Sequence, residues 1–189
     1  ILRKNPQRVL KLFDIIYRVM ANISLSISEN WLKPPPNYDE DKSKIFILFN
    51  LTLLLSASLE ILLIGLALLL LHEDYLNNLD KAVVYYNDGD WRFKAGVLMC
   101  FSQLSEDLNL DKLENVLKIL NMGFVDEHPK VRFAAVQLLG QFSDDLKPDF
   151  QNKYFNQLMP IIINGFKDNV ERVASHWLAC MTNFIEDYS

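Results

Sequence analysis

Apolar residues recur at three- and four-residue spacings along most of the chain, the signature of amphipathic helices. Over 7–23, Val9, Leu10, Leu12, Phe13, Ile16, Tyr17, Met20 and Ile23 form one stripe, with Arg8, Lys11, Asp14 and Arg18 between them. Pro6 suits the first turn of that helix, where no backbone donor is needed. Over 73–87, Tyr75, Leu76, Leu79, Val83 and Tyr86 form another stripe. Further helical patterns run near 91–106, 111–124, Val131–Phe142 and Phe150–Phe166. Asn87-Asp88-Gly89-Asp90 reads as a turn in which Asp90 can cap the next helix.

Two stretches break the pattern. Residues 24–44 hold three consecutive prolines (Pro34, Pro35, Pro36), which cannot continue a helix, followed by the acids Asp39, Glu40 and Asp41. This segment reads as a loop: a solvated linker, or an acidic contact for a basic partner. Residues 45–71 are apolar almost throughout and long enough to span a bilayer. The thirteen Leu and Ile residues of 53–71 contribute about −6 kcal/mol toward insertion, against about +3 for Glu60. A single span through 46–71 is therefore one reading. The other is two helices broken near Ser56-Ala-Ser58 and covered by neighbours on several sides.

From Trp91 onward the chain repeats itself. Trp91-Arg92-Phe93-Lys94-Ala95 aligns with Val131-Arg132-Phe133-Ala134-Ala135. Leu104-Ser105-Glu106-Asp107-Leu108 aligns with Phe142-Ser143-Asp144-Asp145-Leu146, and a third copy closes at Phe184-Ile185-Glu186-Asp187. Gly123-Phe124 returns as Gly165-Phe166, followed by Asp126 and Asp168 respectively. The period is about 40 to 42 residues, with an offset of 38 between Leu104 and Phe142, and each unit holds two helices. A lone helical hairpin cannot bury its apolar face, whereas a stack of them can. The expected fold is all-α: an α-solenoid of HEAT repeats, antiparallel helix pairs stacked into a superhelix. The expected organisation is a helix of a first repeat at 1–23, the loop at 24–44, a divergent apolar repeat at 45–87, repeats at 88–125 and 126–168, and the first helix of another at 169–189. Asp126 is expected to satisfy donors in the inter-repeat turn, Pro129 to open the next helix, and Arg132 to pair with an acid of a neighbouring repeat. Trp91 and Trp177 are assigned to packing, and His128, in a turn, to an exposed position.

Composition narrows the function. The 189 residues carry 19 Lys and Arg against 24 Asp and Glu, a net charge of −5, which disfavours a basic nucleic-acid surface. Gly and Pro total 13, where average usage predicts about 22, leaving few turn formers for an all-β fold. Half the residues are hydrophobic, which excludes global disorder. Cys100 and Cys180 offer neither a disulfide framework nor zinc-ligand spacing and read as small core residues in a reducing compartment. The chain opens at Ile1, not Met, and is expected to be a slice from the middle of a longer protein; Arg3, Lys4, Arg8 and Lys11 on a helical pattern make a secretory signal peptide unexpected. The sequence has no Gly-rich phosphate loop, no H-E-x-x-H and no G-x-S-x-G elbow, and His72, His128 and His176 are scattered. No enzyme activity, metal or cofactor is expected.

The strings Asp90-Trp91-Arg92-Phe93-Lys94-Ala95-Gly96-Val97-Leu98-Met99, Asp126 to Ala135 (DEHPKVRFAA) and Gly140-Gln141-Phe142 resemble the importin-beta (karyopherin-beta) nuclear transport receptors, most of all their beta-3 branch. Pro148-Asp149-Phe150-Gln151-Asn152-Lys153, Arg172-Val173 and Asn183-Phe184-Ile185-Glu186-Asp187 extend the likeness over 88–187. Leu2-Arg3-Lys4 and Trp31 with the acidic loop extend it over 1–44. The resemblance implies a protein shuttling between cytoplasm and nucleus. Such receptors bind protein cargo with basic localisation signals on a concave face lined by the second helices, release it to Ran-GTP, and meet phenylalanine-glycine nucleoporins on the convex face. The polar residues of the presumed inner helices, Glu114, Lys118, Asn121, Asn156, Gln157 and Asn164, are then candidate partner-binding positions, beside the loop acids Asp39, Glu40 and Asp41. The simpler reading of the helix residues is a solvated face, and of the loop acids a solvated linker. A HEAT scaffold unconnected with Ran is the competing reading.

Overall fold

The computed structural model describes residues 83–84, 86–87, 90–102, 104–108, 110 and 113–186. The expectations for 1–23, for the loop acids Asp39, Glu40 and Asp41, and for the apolar run 46–71 fall outside these residues. The chain divides into two units, Ile1–His72 and Glu73–Ser189, and the described residues belong to the second. Of the helix expected over 73–87, residues 83, 84, 86 and 87 are described and are helical.

Five α-helices follow: α1 (Trp91–Ser102), α2 (Leu113–Phe124), α3 (Pro129–Asp145), α4 (Asp149–Gly165) and α5 (Glu171–Glu186), with one 3-10 turn at Ser105–Asp107. No strand occurs among the described residues. Helices α1, α3 and α5 lie side by side, α2 packs on α1 and α3, and α4 packs on α5 and more lightly on α3. This is an all-α solenoid of stacked helical hairpins, with α3 as the helix surrounded on most sides.

The sequence explains why α3 takes that place. Val131, Ala134, Ala135, Leu138, Leu139 and Phe142 recur at helical spacing, and Val136 and Ser143 widen the stripe onto a second face; all eight are buried. Two alanines in mid-stripe let neighbouring backbones come close. A Cβ placed on Gly123 at the end of α2 would lie 2.8 Å from the Ala135 Cβ, so only glycine permits that approach. Phe142, Phe150 and Phe184 bring α3, α4 and α5 together, with Phe142–Phe150 centroids 5.6 Å apart and Phe150–Phe184 6.2 Å apart. Cys100 and Cys180 are buried thiols, as their sequence context suggests, and burial pushes both up to about 12. Trp177 is core, 2% exposed.

Helix starts follow local chemistry. The Asp90 carboxylate accepts the Arg92 backbone N–H at 3.0 Å, capping α1. His128 Nδ1 accepts from Lys130 N at 3.3 Å at the start of α3, where Pro129 occupies the first position. Helix α3 runs three residues beyond the expected end at Phe142, because Ser143 returns its hydroxyl to the Leu139 carbonyl and Gln141 donates to Asp145. The first pattern, expected to run to 106, instead breaks after Ser102 and resumes as a 3-10 turn, where Ser105 donates to the Ser102 carbonyl and to Asp145 of α3.

Candidate functional site

The inter-repeat turns organise the surfaces on either side of them. Asp90, Asp126 and Asp168 each accept a backbone N–H two residues on, from Arg92, His128 and Val170. Each of the last two also receives a cation from the preceding repeat. Lys94 on α1 donates to Asp126 at 2.7 Å, and Arg132 on α3 grips Asp168 with Nε at 2.7 Å and Nη2 at 2.8 Å. Arg132 also donates to the carbonyls of Asp126 and Glu127 and to Asn169, tying its own turn to the next. The expected pairing of Arg132 with an acid of a neighbouring repeat is present. Arg92, its counterpart in the sequence alignment, folds back on Asp90 instead and leaves the cross-repeat bond to Lys94. For Asp168, burial works to raise the carboxyl pKa, but the bonds from Arg132 and Val170 prevail and hold it below the usual range.

Aromatic–histidine stacks accompany these turns. Trp91 lies flat on His128, with centroids 3.9 Å apart and planes 6° apart. His128 is thus half-buried and acts as an N-cap, not the exposed turn residue its place before a proline suggests. Phe133 stacks on His176 in the same manner at 4.1 Å and 15°. Burial pushes the His176 imidazole down to about 4, and its Nε2 is enclosed without a hydrogen-bond partner. Burial, then Lys130, also lower His128.

The presumed inner helices, α2 and α4, border two open grooves. The first, of about 550 Å³, brings together Glu114, Lys118 and Asn121 from α2 with Gln157 from α4, and adds Leu110, Leu117, Lys153 and Tyr154. Glu114, Lys118 and Gln157 are exposed and Asn121 half-buried. Lys153 and Tyr154, absent from the residues selected on sequence, belong to this wall; their signal was the helical spacing 153, 154, 157 on α4. Lys153 Nζ sits 5.3 Å from the Tyr154 ring centroid. Asn156 and Asn164 are exposed but line the other groove, of about 570 Å³, with Phe155, Met159, Pro160, Ile163 and Lys167. The polar candidates therefore divide between two grooves. Among the described residues no cluster of three or more His, Cys, Asp and Glu is placed to hold a metal ion. No described helix is long and apolar enough to cross a membrane.

Stacked hairpins with a capped, cation-bridged turn between them define a HEAT-repeat protein, and residues 116–146, from within α2 through α3, match the HEAT repeat family. The chain is 27% identical over 101 residues to importin subunit beta-3 of Saccharomyces cerevisiae (strain ATCC 204508 / S288c), a match that covers 51% of this chain and 9% of that protein. Two solved structures share the fold. Kap121p bound to Nup53p superimposes with a TM-score of 0.73, and Kap121p bound to RanGTP with 0.72; each is 19% identical, and the match covers 100% of this chain and 18% of that one. The chain is thus similar in sequence to importin subunit beta-3 and in fold to Kap121p, with a HEAT repeat at the centre of the likeness. It spans a small part of the length of the relatives it matches.

Proposed function

We propose that the chain forms part of a nuclear import receptor that binds protein cargo along its inner helices. The observation that carries this reading is the groove between α2 and α4, where Glu114, Asn121, Tyr154 and Gln157 present hydrogen-bonding groups over an apolar floor that includes Leu117. An extended peptide fits such a groove, with side chains anchored by the amides and the floor. The charge is mixed: Glu114 attracts a basic residue, while Lys118 and Lys153 repel a dense run of them. The localisation signal that suits it carries an isolated basic residue among apolar and polar ones. Release by Ran-GTP, passage through the pore on phenylalanine-glycine nucleoporins and shuttling between cytoplasm and nucleus complete the proposal. They are supported by the similarity to importin subunit beta-3 and to Kap121p bound to RanGTP and to Nup53p.

The test is fluorescence anisotropy with labelled peptides that differ only in the number of lysines. Binding of a peptide with one or two lysines, weakened at least about tenfold by Glu114→Lys and strengthened by Lys118→Glu, is the expected result. Peptide binding indifferent to both substitutions would refute the groove as the site.

A further inference from the structure

Glu114 and Lys118 stand one turn apart on α2, the spacing at which a glutamate and a following lysine ordinarily pair. They do not pair here. The Lys118 ammonium donates to the Asn115 side-chain carbonyl at 3.3 Å. Among the described residues nothing pairs with the Glu114 carboxylate. Lys153, the third charge lining the same groove, lies over the Tyr154 ring. All three charged side chains are exposed. The groove between α2 and α4 therefore presents one carboxylate and two ammoniums, and none of them neutralises another.

We propose that the groove selects an amphoteric segment: an extended peptide with a basic side chain on Glu114 and an acidic one on Lys118. The proposal rests on the reading of this groove as a cargo site and names the cargo's charge pattern. A purely basic peptide answers Glu114 and is repelled by both lysines; a purely acidic one is opposed by Glu114. A peptide carrying both signs leaves neither charge of α2 unanswered. Spacing follows from geometry. One turn of α2, four residues, advances about 6 Å along the helix axis. Two residues of extended chain advance about 7 Å and bring their side chains to the same face. The matching pattern is thus a lysine or arginine and a glutamate or aspartate separated by one residue. Adjacent opposite charges point to opposite faces of the peptide and cannot both reach α2. Asn121 and Gln157 continue the wall with uncharged amides, so no further charge is demanded of the ligand.

Fluorescence anisotropy with the intact chain at low salt tests this, with circular dichroism as a folding control for each variant. The labelled peptides are Lys-x-Gln, Lys-x-Glu, Glu-x-Lys and adjacent Lys-Glu in one otherwise uncharged sequence. Both spaced orders are used because the groove fixes the spacing and not the chain direction. One of the two spaced acidic peptides should bind about 2- to 5-fold tighter than Lys-x-Gln, and the adjacent pair should show no gain. Lys118→Met should erase the gain and Lys153→Met should keep it. Lys118→Glu should reverse the preference, so that Lys-x-Lys binds tighter than either acidic peptide. Capture of Lys-x-Gln with no gain from glutamate in either order would overturn the amphoteric pattern and leave the cargo site standing. A gain that survives Lys118→Met would overturn the pairing with α2. Failure of every peptide to bind would overturn the pattern and the cargo site together.

Discussion

Gly165 at the end of α4 lies against the indole of Trp177 on α5, so close that a Cβ at 165 would fall inside the ring's contact distance at three of its carbons. One repeat earlier, Gly123 meets Ala135 at the same two positions. The second joint accommodates a larger partner and has no spare space. Replacing a helical glycine by alanine ordinarily stabilises by up to about 1 kcal/mol. Here Gly165→Ala should destabilise by about 1–3 kcal/mol, the usual range for overpacking, read as a lower midpoint in urea. In the G165A/W177A double variant the two effects should fall well short of additive, since the smaller side chain removes the clash. A stabilised G165A would contradict the joint as described.

The Arg132–Asp168 pair should carry more stability than a surface ion pair. Their side chains are 12% and 8% exposed, and Arg132 also satisfies two carbonyls of its own turn. Arg132→Ala leaves a largely buried carboxylate and is expected to lose roughly 3 kcal/mol. Arg132→Lys should recover only part of this, because a single ammonium cannot reproduce the fork. Chemical denaturation of the three proteins checks the order.

Asp168 also makes stability depend on acid. Its folded pKa lies below its unfolded value, so the contribution is complete above the unfolded pKa, near 4. It is lost as pH falls through the folded one. Asp168→Asn should lower stability at pH 7 and flatten the profile below pH 4. An unchanged profile in that window would argue against the pair.

His176 acts in a different window. Its pKa falls from about 6.5 when unfolded to about 4 when folded, so the folded chain holds it neutral. Stability is complete above pH 6.5, declines as the unfolded chain takes up a proton, and levels off below about pH 4. His176→Phe keeps a ring against Phe133 and should remove the decline between pH 6.5 and 4. Histidine proton resonances followed by NMR give the pKa directly, and a value near 6.5 would contradict the burial described.

The helices and their stacking were legible in the sequence, because spacing of apolar residues reports burial on helical faces and the Asp126 and Asp168 turns recur. Arg132 was legible for the same reason. Partner choice within a recurring motif was not. Arg92 aligns with Arg132, yet folds onto Asp90, since an adjacent carboxylate is nearer than one a repeat away. The role of His128 depends on Trp91, 37 residues earlier, which no local pattern reports. The division of the polar candidates between two grooves depends on the rotation of α4. That rotation places Gln157 beside α2 and turns Asn156 and Asn164 away.

The most direct test of the transport-receptor reading is displacement. The chain, immobilised with a bound single-lysine peptide, is washed with Ran in its GTP form and, separately, in its GDP form. The account predicts that Ran-GTP releases the peptide and Ran-GDP does not, and that Glu114→Lys abolishes peptide capture from the start. Peptide that stays bound under Ran-GTP, or is released equally by both nucleotide forms, would contradict it and leave a HEAT-repeat interaction module that works without Ran.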